Sequence, residues 1–227
     1  MIVASNMDSF LSALKISLWV ATSSTLLVAL FGLALAFVLA RCNFRGKNII
    51  DAVVTIPMVL PPTVVGYYLM VLLGREGIVG APLYQLTGWS FLFTWQGAVI
   101  AAFIVSLPLM VRVARSAIES VDEDLIRVSY SLGKSKWETF VHVILPLARS
   151  GIMAGVVLAF ARGLGEFGAT LMIAGNIPGR TSTLSLSIYS AFQAGDDTRA
   201  GQLAWVLTGI SVFVVYLAGK LSRSRWM

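Results

Sequence analysis

The chain has 227 residues, of which 57% are hydrophobic and only 12% are charged, with a mean hydropathy of +0.84 and a formal net charge of +6. Because a soluble domain is about 25% charged, this composition excludes a soluble globule and a disordered chain. Cys42 is the only cysteine and His142 the only histidine, so no intramolecular disulfide can form and no histidine cluster is available for a metal.

Long uncharged stretches predict membrane-spanning helices, because such a helix needs about 20 mostly apolar residues. Residues 16–40 and 52–74 carry no charged side chain, and further long apolar stretches follow. We therefore expect an all-α integral membrane protein with a single transmembrane domain over residues 1–227. The five predicted spans are about 12–40, 50–73, 95–115, 148–175 and 201–221.

Lysine and arginine are unevenly divided between the two sets of loops that alternate along these spans. One side holds Arg41, Arg45, Lys47, Arg112, Arg115, Arg127, Lys134, Lys136, Arg149, Lys220, Arg223 and Arg225. The other side holds Arg75, Arg180 and Arg199. Because cytoplasmic loops retain positive charge, this division predicts the N-terminus outside and the C-terminus in the cytoplasm. The positive net charge is therefore a topology signal and does not indicate a nucleic-acid partner.

The second predicted span contains helix-breaking residues, namely Pro57, Pro61, Pro62 and Gly66. Each proline removes a backbone donor and clashes with the preceding turn. In a bilayer the freed groups are tolerated only where protein or a wet cavity satisfies them. Broken helices near mid-membrane recur at transport sites, so these residues are candidates for a translocation path. A kink that serves only packing is an equally good interpretation.

The polar segment 116–146, between the third and fourth predicted spans, predicts two short helices. Ser120 with Glu123 and Ser135 with Glu138 both match the S-x-x-E capping box that marks a helix N-terminus. A capped, preformed helical loop of this kind suits docking of a cytoplasmic partner. A surface helix that lies on the membrane is the alternative interpretation.

One apolar helix face and one glycine refine the prediction for this loop. Val121, Leu125, Val128 and Leu132 recur at spacings of three and four residues, which places them on a single face. Gly133 follows where the left-handed residue after a helix C-terminus is expected.

Two ionisable residues, Arg162 and Glu166, lie inside the predicted fourth span. Their spacing of four places them on one helix face, where they can pair. Intramembrane charges indicate function by default, so the pair either shapes an anion path or neutralises itself in a packing role. Gly163, Gly165 and Gly168 match G-x-G-x-x-G, but no strand precedes them and a dinucleotide site is excluded. The candidate path residues are Pro61, Pro62, Gly66, Arg162, Glu166 and Gly168.

The end of loop 116–146 resembles the EAA loop of ABC importer permeases. In that pattern Glu-Ala-Ala is followed by three residues, Gly, nine residues and Ile-x-Leu-Pro; here the glycine is Gly133 and the end is residues 143–146, while residues 127–129 replace Glu-Ala-Ala. We call 116–146 the coupling loop, since the resemblance implies that it contacts an ATPase subunit. Its candidate contact residues are Ser120, Leu125, Val128, Leu132, Gly133, Ser135, Glu138, Leu145 and Pro146.

The remaining chain resembles the permease subunits of molybdate importers. The strings that carry this resemblance are LPPTVVGYYL (60–69), GREGIVG (74–80), ARGLGEFGATLMIAGNIPGRT (161–181) and TLSLSIY (183–189). The resemblance implies a type I permease fold and a homodimer in the plasma membrane, the inner membrane of a cell that has two. It also implies two cytoplasmic ATP-binding subunits and an external molybdate-binding protein.

No catalytic, cofactor or metal site is expected on this chain, because the resemblance places ATP and magnesium on the partner subunits. Membrane lipid is the other expected partner, and nucleic acid is not expected. Tungstate or sulfate is the alternative substrate, since both are tetrahedral oxyanions like molybdate. An integral-membrane enzyme and a scaffold are the alternatives from other classes.

Overall fold

A computed structural model describes residues 2–223 and, within them, the side chains of 9–217. The described residues form α-helices without a strand. The helices are α1 (Ile2–Leu27), α2 (Leu33–Arg41), α3 (Lys47–Val59), α4 (Pro62–Leu73), α5 (Gly80–Thr87), α6 (Trp95–Glu119), α7 (Glu123–Ser131), α8 (Lys136–Thr139), α9 (Leu145–Leu164), α10 (Gly168–Ala174), α11 (Leu184–Gln193) and α12 (Asp197–Arg223). The π-helical turns Val28–Gly32 and Phe140–Ile144 join α1 to α2 and α8 to α9. Arg225 and the side chains of Lys220 and Arg223, all in the predicted basic tail, lie outside this description.

Four continuous helices within residues 2–223 are long and apolar enough to cross a membrane. They are Ser9–Arg41, Trp95–Glu119, Lys136–Leu164 and Asp197–Leu217. Together α3 and α4 make a fifth candidate, although they meet at an angle of 115°. The expectation of an all-α protein is thus confirmed, and the described residues offer four or five spans.

The bend between α3 and α4 follows from two consecutive prolines. A residue before proline is pushed out of the α region, and both Leu60 (ψ 145°) and Pro61 (ψ 135°) are extended. Pro62 then occupies the first turn of α4, where its missing N–H leaves no helical bond unmade. By contrast, Pro57 and Pro108 lie inside α3 and α6 without ending them.

The fourth predicted span, 148–175, is wrong as one helix. The continuous helix begins earlier, at Lys136, and α9 ends at Leu164, after which α10 starts at Gly168. Glycine weakens a helix interior, and Gly163 and Gly165 stand at this end. The backbone leaves the helical path at Phe167, whose φ is −130°.

The central helix of the bundle is α6, which contacts α1, α2, α3, α4, α9 and α10. It begins where the Thr94 hydroxyl accepts a hydrogen bond from the backbone N–H of Gly97 at 3.2 Å. Helix α9 packs closely against it at two glycines. A Cβ on Gly151 would overlap Ala117, and one on Gly155 would lie 2.9 Å from the Met110 sulfur. The GxxxG pair therefore serves close helix packing.

The two ends of the bundle are held by different contacts. At one end, which we call the basic end, Arg41 from α2 reaches the junction of α6 and α7, and Arg115 binds Asp51 of α3 at 3.1 Å. At the opposite end, the Ser17 hydroxyl of α1 accepts from the backbone N–H of Leu184 at 2.7 Å. The coupling loop therefore lies at the basic end.

Candidate translocation path and coupling loop

The predicted pair of Arg162 and Glu166 is formed, and Glu166 binds a second group as well. Arg162 Nη1 donates to Glu166 Oε2 at 2.7 Å, and the other carboxylate oxygen accepts from the backbone N–H of Ala169 at 2.9 Å. The Glu166 side chain is 2% exposed, whereas that of Arg162 is 35% exposed. The predicted pairing is present, but the predicted shared helix face is wrong, because α9 ends at Leu164. Glu166 instead ties the end of α9 to the first turn of α10.

The two breaks in the helices contact each other through glycines. A Cβ on Gly66 of α4 would lie 2.7 Å from Ala169 Cα, and one on Gly168 would lie 3.1 Å from Pro62 Cβ. Only small residues permit this approach of α4 to α10. The structure therefore brings Pro62, Gly66, Gly168 and the Arg162–Glu166 pair together, with Pro61 at the entry to α4.

Arg162 also lines a pocket of about 120 Å³ at the bend between α3 and α4. Its other walls are Pro57, Met58, Leu60, Pro62, Val105 and Leu109. We call it the Arg162 pocket. Sequence reasoning missed Met58, Val105 and Leu109, because apolar residues in a membrane helix carry no signal of a pocket. The only available signal was the spacing of four that places Val105 and Leu109 on one face of α6.

In the coupling loop, the turn at Gly133 is the one that was predicted. Gly133 has φ of +80°, in the left-handed region that favours glycine. Its N–H donates to the Tyr130 carbonyl at 2.9 Å, and the next N–H, of Lys134, donates to the Ser129 carbonyl at 3.2 Å. These two bonds form a Schellman motif, which satisfies the last carbonyls of α7.

One of the two predicted capping boxes is present. The Ser135 hydroxyl accepts from the Glu138 N–H at 3.2 Å, and the Glu138 carboxylate accepts from the Ser135 N–H at 2.8 Å. The box at Ser120 is wrong, because α6 runs to Glu119 and the Ser120 hydroxyl donates back to its Ala117 carbonyl. Asp122 caps α7 instead, and its carboxylate accepts from the Asp124 N–H at 2.9 Å.

The predicted apolar face of the coupling loop divides in two. Val121 is buried in the core, as are Ile126 and Phe140. Leu125, Val128 and Leu132 are 48%, 56% and 76% exposed, and we call these three residues the docking face. These three residues lie in and just after α7, outside the candidate membrane spans, so they are candidates for contact with a partner. Nearby, Leu145 is half-buried and Pro146 is exposed in the first turn of α9.

Arg41 fastens the first predicted span to the start of the coupling loop. Its Nη2 donates to the carbonyls of Ile118 at 2.6 Å and Val121 at 3.3 Å, and its Nη1 lies 3.7 Å from the Glu123 carboxylate. A cation at the C-terminus of a helix is favourable, and here the helix is α6. Sequence reasoning counted Arg41 only as a positive charge and gave no signal of this contact.

Among the described residues, no three His, Cys, Asp or Glu side chains are grouped so that they could hold a metal ion. The four or five candidate spans within the described residues make this a multi-pass helical membrane protein. Residues 28–224 match the family described as binding-protein-dependent transport system inner membrane component, and the chain belongs to that family.

Individual relatives agree with this membership. The chain is 43% identical over 217 residues to the Molybdenum transport system permease protein ModB of Escherichia coli K12, across 94% of this chain and 95% of that one. It is 35% identical over 209 residues to the Sulfate transport system permease protein CysW of Synechococcus elongatus, across 92% and 73%. The resemblance read from the sequence motifs is thus confirmed.

The fold itself is similar to that of an ABC importer permease. A chain of a bacterial alginate ABC transporter, crystallised in complex with alginate pentasaccharide-bound periplasmic protein, matches with a TM-score of 0.78 and 18% identity. The match covers 95% of this chain and 78% of that one. Membership in a family of transport components also decides against the membrane-enzyme and scaffold alternatives.

Proposed function

We propose that this chain is the membrane subunit of an ABC importer that carries molybdate into the cytoplasm. The observation that carries this proposal is the 43% identity to a molybdenum transport permease across 94% of this chain and 95% of that one. A match over nearly the whole of both chains includes the broken helices and the coupling loop.

The proposed assembly contains two copies of this chain, two cytoplasmic ATP-binding subunits and an external molybdate-binding protein. Its membrane is the plasma membrane, which is the inner membrane of a cell with two, and lipid surrounds the spans. The N-terminus lies outside and the C-terminus in the cytoplasm, so the basic end is cytoplasmic. The exposed docking face at that end supports contact with the ATP-binding subunits, which hold ATP and magnesium.

The proposed path passes the breaks at Pro61, Pro62, Gly66 and Gly168. There Arg162 faces the Arg162 pocket while its charge is compensated by Glu166 at 2.7 Å. A compensated cation attracts an anion only weakly, and weak binding suits a path because a tight site would delay release. The backbone groups freed at the two breaks also support the path, because interrupted backbone in a membrane is tolerated only where it borders protein or water.

Reconstitution tests the proposal. The permease, its ATP-binding subunits and the cognate binding protein are placed in proteoliposomes, and uptake of radioactive molybdate is measured with and without ATP. We expect uptake in the presence of ATP and none when a non-hydrolysable analogue replaces ATP. A complex that purifies without any ATPase partner, or uptake that ignores ATP, would contradict the importer assignment.

Sulfate is the second candidate substrate, because the CysW relative is 35% identical over 92% of this chain. Molybdate, tungstate and sulfate share shape and charge, so competition decides among them. We expect excess unlabelled molybdate to suppress uptake fully and sulfate to suppress it weakly. Sulfate uptake that excess molybdate does not reduce would make sulfate the substrate, while the assignment as an ABC importer permease would stand.

A further inference from the structure

A second pocket adjoins the Arg162 pocket on the side of the basic end. It is an open cleft between α3 and α6 with a volume of about 440 Å³. Its walls include Asn48, Asp51, Thr55, Val59, Leu60 and Arg112. Leu60 lines both pockets, so the two are neighbours at the bend between α3 and α4.

One face of α6 connects the two pockets. Val105 and Leu109 line the Arg162 pocket, and Arg112 follows Leu109 by three residues on the same side of the helix. From Val105 to Arg112 the helix rises by about 10 Å. The opposite wall is α3, where Thr55 and Val59 are four residues apart and both face the second pocket. The two pockets are thus arranged in succession along α6 toward the basic end.

Arg112 differs from the neighbouring arginine in what it binds. Arg115 is bound to two carboxylates, that of Asp51 at 3.1 Å and that of Glu119 at 2.8 Å. Arg112 Nη2 donates to the Thr55 hydroxyl at 3.2 Å, and in the part of the chain that the structure describes it makes no ion pair. Thr55 donates its own hydrogen to the Asp51 carbonyl at 2.8 Å, so its oxygen is the acceptor toward Arg112.

We propose that Arg112 and Thr55 form a binding site for a tetrahedral oxyanion at the cytoplasmic end of the path. This inference rests on the proposed function and adds the position where the anion is held before release. The planar guanidinium presents paired donors that match an oxyanion, and Arg112 uses only one described donor on Thr55. Arg112 and Arg115 are balanced by the carboxylates of Asp51 and Glu119. The site therefore has no net charge and holds the anion loosely.

A phosphate headgroup of a lipid has the same tetrahedral oxyanion chemistry, so the test must separate the two sources. The complete transporter with its binding protein is reconstituted in vesicles with and without phosphatidylglycerol, and radioactive molybdate taken up per ATP hydrolysed is measured. The variants are Arg112→Gln, Arg112→Lys and Thr55→Val. The matched control is Arg45→Gln, which removes one exposed positive charge from the same end outside the pocket.

We expect Arg112→Gln to lower uptake per ATP by roughly tenfold, the size of one lost charge-assisted hydrogen bond. Arg112→Lys should lose less, since it keeps the charge but not the fork, and Thr55→Val should lose least. The loss should be the same in both kinds of vesicle, and Arg45→Gln should match the wild type.

Three results would overturn the site. An equal loss in Arg45→Gln would assign the effect to general charge, and a loss confined to vesicles with phosphatidylglycerol would assign Arg112 to a lipid headgroup. If Arg112→Gln lowers the melting temperature of the complex, its loss of uptake could come from misfolding, and Thr55→Val, which keeps every charge, becomes the deciding variant. Unchanged uptake by Thr55→Val would then refute the site. A wild type that carries sulfate instead of molybdate contradicts the proposed substrate only, and the same variants are then measured with sulfate.

Discussion

The coupling loop and the pair of helix breaks both contain a turn in the chain, but different interactions hold these turns. In the coupling loop the turn at Gly133 is closed by backbone bonds to Ser129 and Tyr130, a few residues away. At the breaks, Gly66 contacts Ala169, more than a hundred residues further along the chain. The first turn is therefore held by its own neighbours, whereas the breaks, whose position the prolines set, also depend on tertiary packing.

This difference separates the effects that substitutions should have in the two regions. A change at the breaks disturbs α4, α10 and the end of α9 together, so it should affect the stability of the whole bundle. A change in the coupling loop disturbs a short segment with an exposed docking face, so it should affect contact with the partner subunits while the spans stay folded. The four predictions below test this division, in order of decreasing expected effect.

Arg162→Met should be the most damaging substitution. It leaves the Glu166 carboxylate, which is 2% exposed, without its cation. Breaking a buried ion pair on one side costs about 3–5 kcal/mol. We expect a large fall in the melting temperature of the detergent-solubilised protein and a low yield of monodisperse complex.

A second substitution separates packing from transport. Glu166→Gln added to Arg162→Met removes the unpaired charge and keeps an oxygen to accept from the Ala169 N–H, which Glu166→Leu would not. We expect this double variant to recover its assembly with the ATP-binding subunits but to transport poorly. Full recovery of uptake would assign the pair to packing alone, and a failure to recover assembly would show that the charge itself is needed.

Gly66→Ala should destabilise the bundle by about 1–3 kcal/mol, the usual cost of overpacking. Its added Cβ would lie 2.7 Å from the Ala169 backbone, which cannot move aside as a flexible side chain can. Gly209→Ala in α12 is the matched control, because a Cβ there meets nothing within 4 Å. It should stabilise the helix slightly, by up to about 1 kcal/mol. Thermal unfolding of the two variants should thus shift in opposite directions, and equal shifts would refute the close contact.

The sequence predicts best those features that depend on neighbours along the chain. The left-handed turn at Gly133 and the capping box of Ser135 with Glu138 are local, and both are present. The prediction at Ser120 fails for a reason that is also local in the sequence. The α6 helix extends to Glu119 and makes Ser120 its end, while Asp122 stands nearer to the first N–H groups of α7.

The helix breaks show what the sequence could not supply. Prolines and charges located the interruption near Pro61 and the pair of Arg162 with Glu166. Neither the prolines nor the charges predict that α9 ends at Leu164 or that α10 packs on α4. The number of uncharged residues gives the length of an apolar segment but does not show whether that segment is one continuous helix. The contact of Arg41 with the Ile118 carbonyl likewise joins residues far apart in the sequence, and no periodic pattern predicts it.

Gly133→Val should disturb coupling more than folding. A side chain in the left-handed region costs about 1–2 kcal/mol, and the β-branched valine tolerates it poorly. We expect the spans to fold as before, with a loss of association with the ATP-binding subunits or of ATPase stimulation by the loaded binding protein. Gly133→Asn is the control, because asparagine also serves in this position, and it should retain most of the stimulation. Normal transport by Gly133→Val would mean that the turn does not position the docking face.

Ser135→Ala should have the smallest effect of the four. Ser120→Ala is the control that shows whether the effect comes from the loss of the helix cap and not from the loss of any serine hydroxyl in the coupling loop. Removing the Ser135 hydroxyl leaves the Glu138 N–H without its acceptor, which costs about 1 kcal/mol of local stability. A loss of that size raises the opened fraction of the segment roughly fivefold. Trypsin cleaves after Lys134 and Lys136, on either side of the capping residue, so limited proteolysis of the solubilised permease should be faster by that factor. Ser120→Ala removes only a bond from an exposed hydroxyl to the Ala117 carbonyl, so its cleavage should match the wild type. If instead Ser120→Ala accelerates cleavage and Ser135→Ala does not, α7 is the helix that depends on a serine cap.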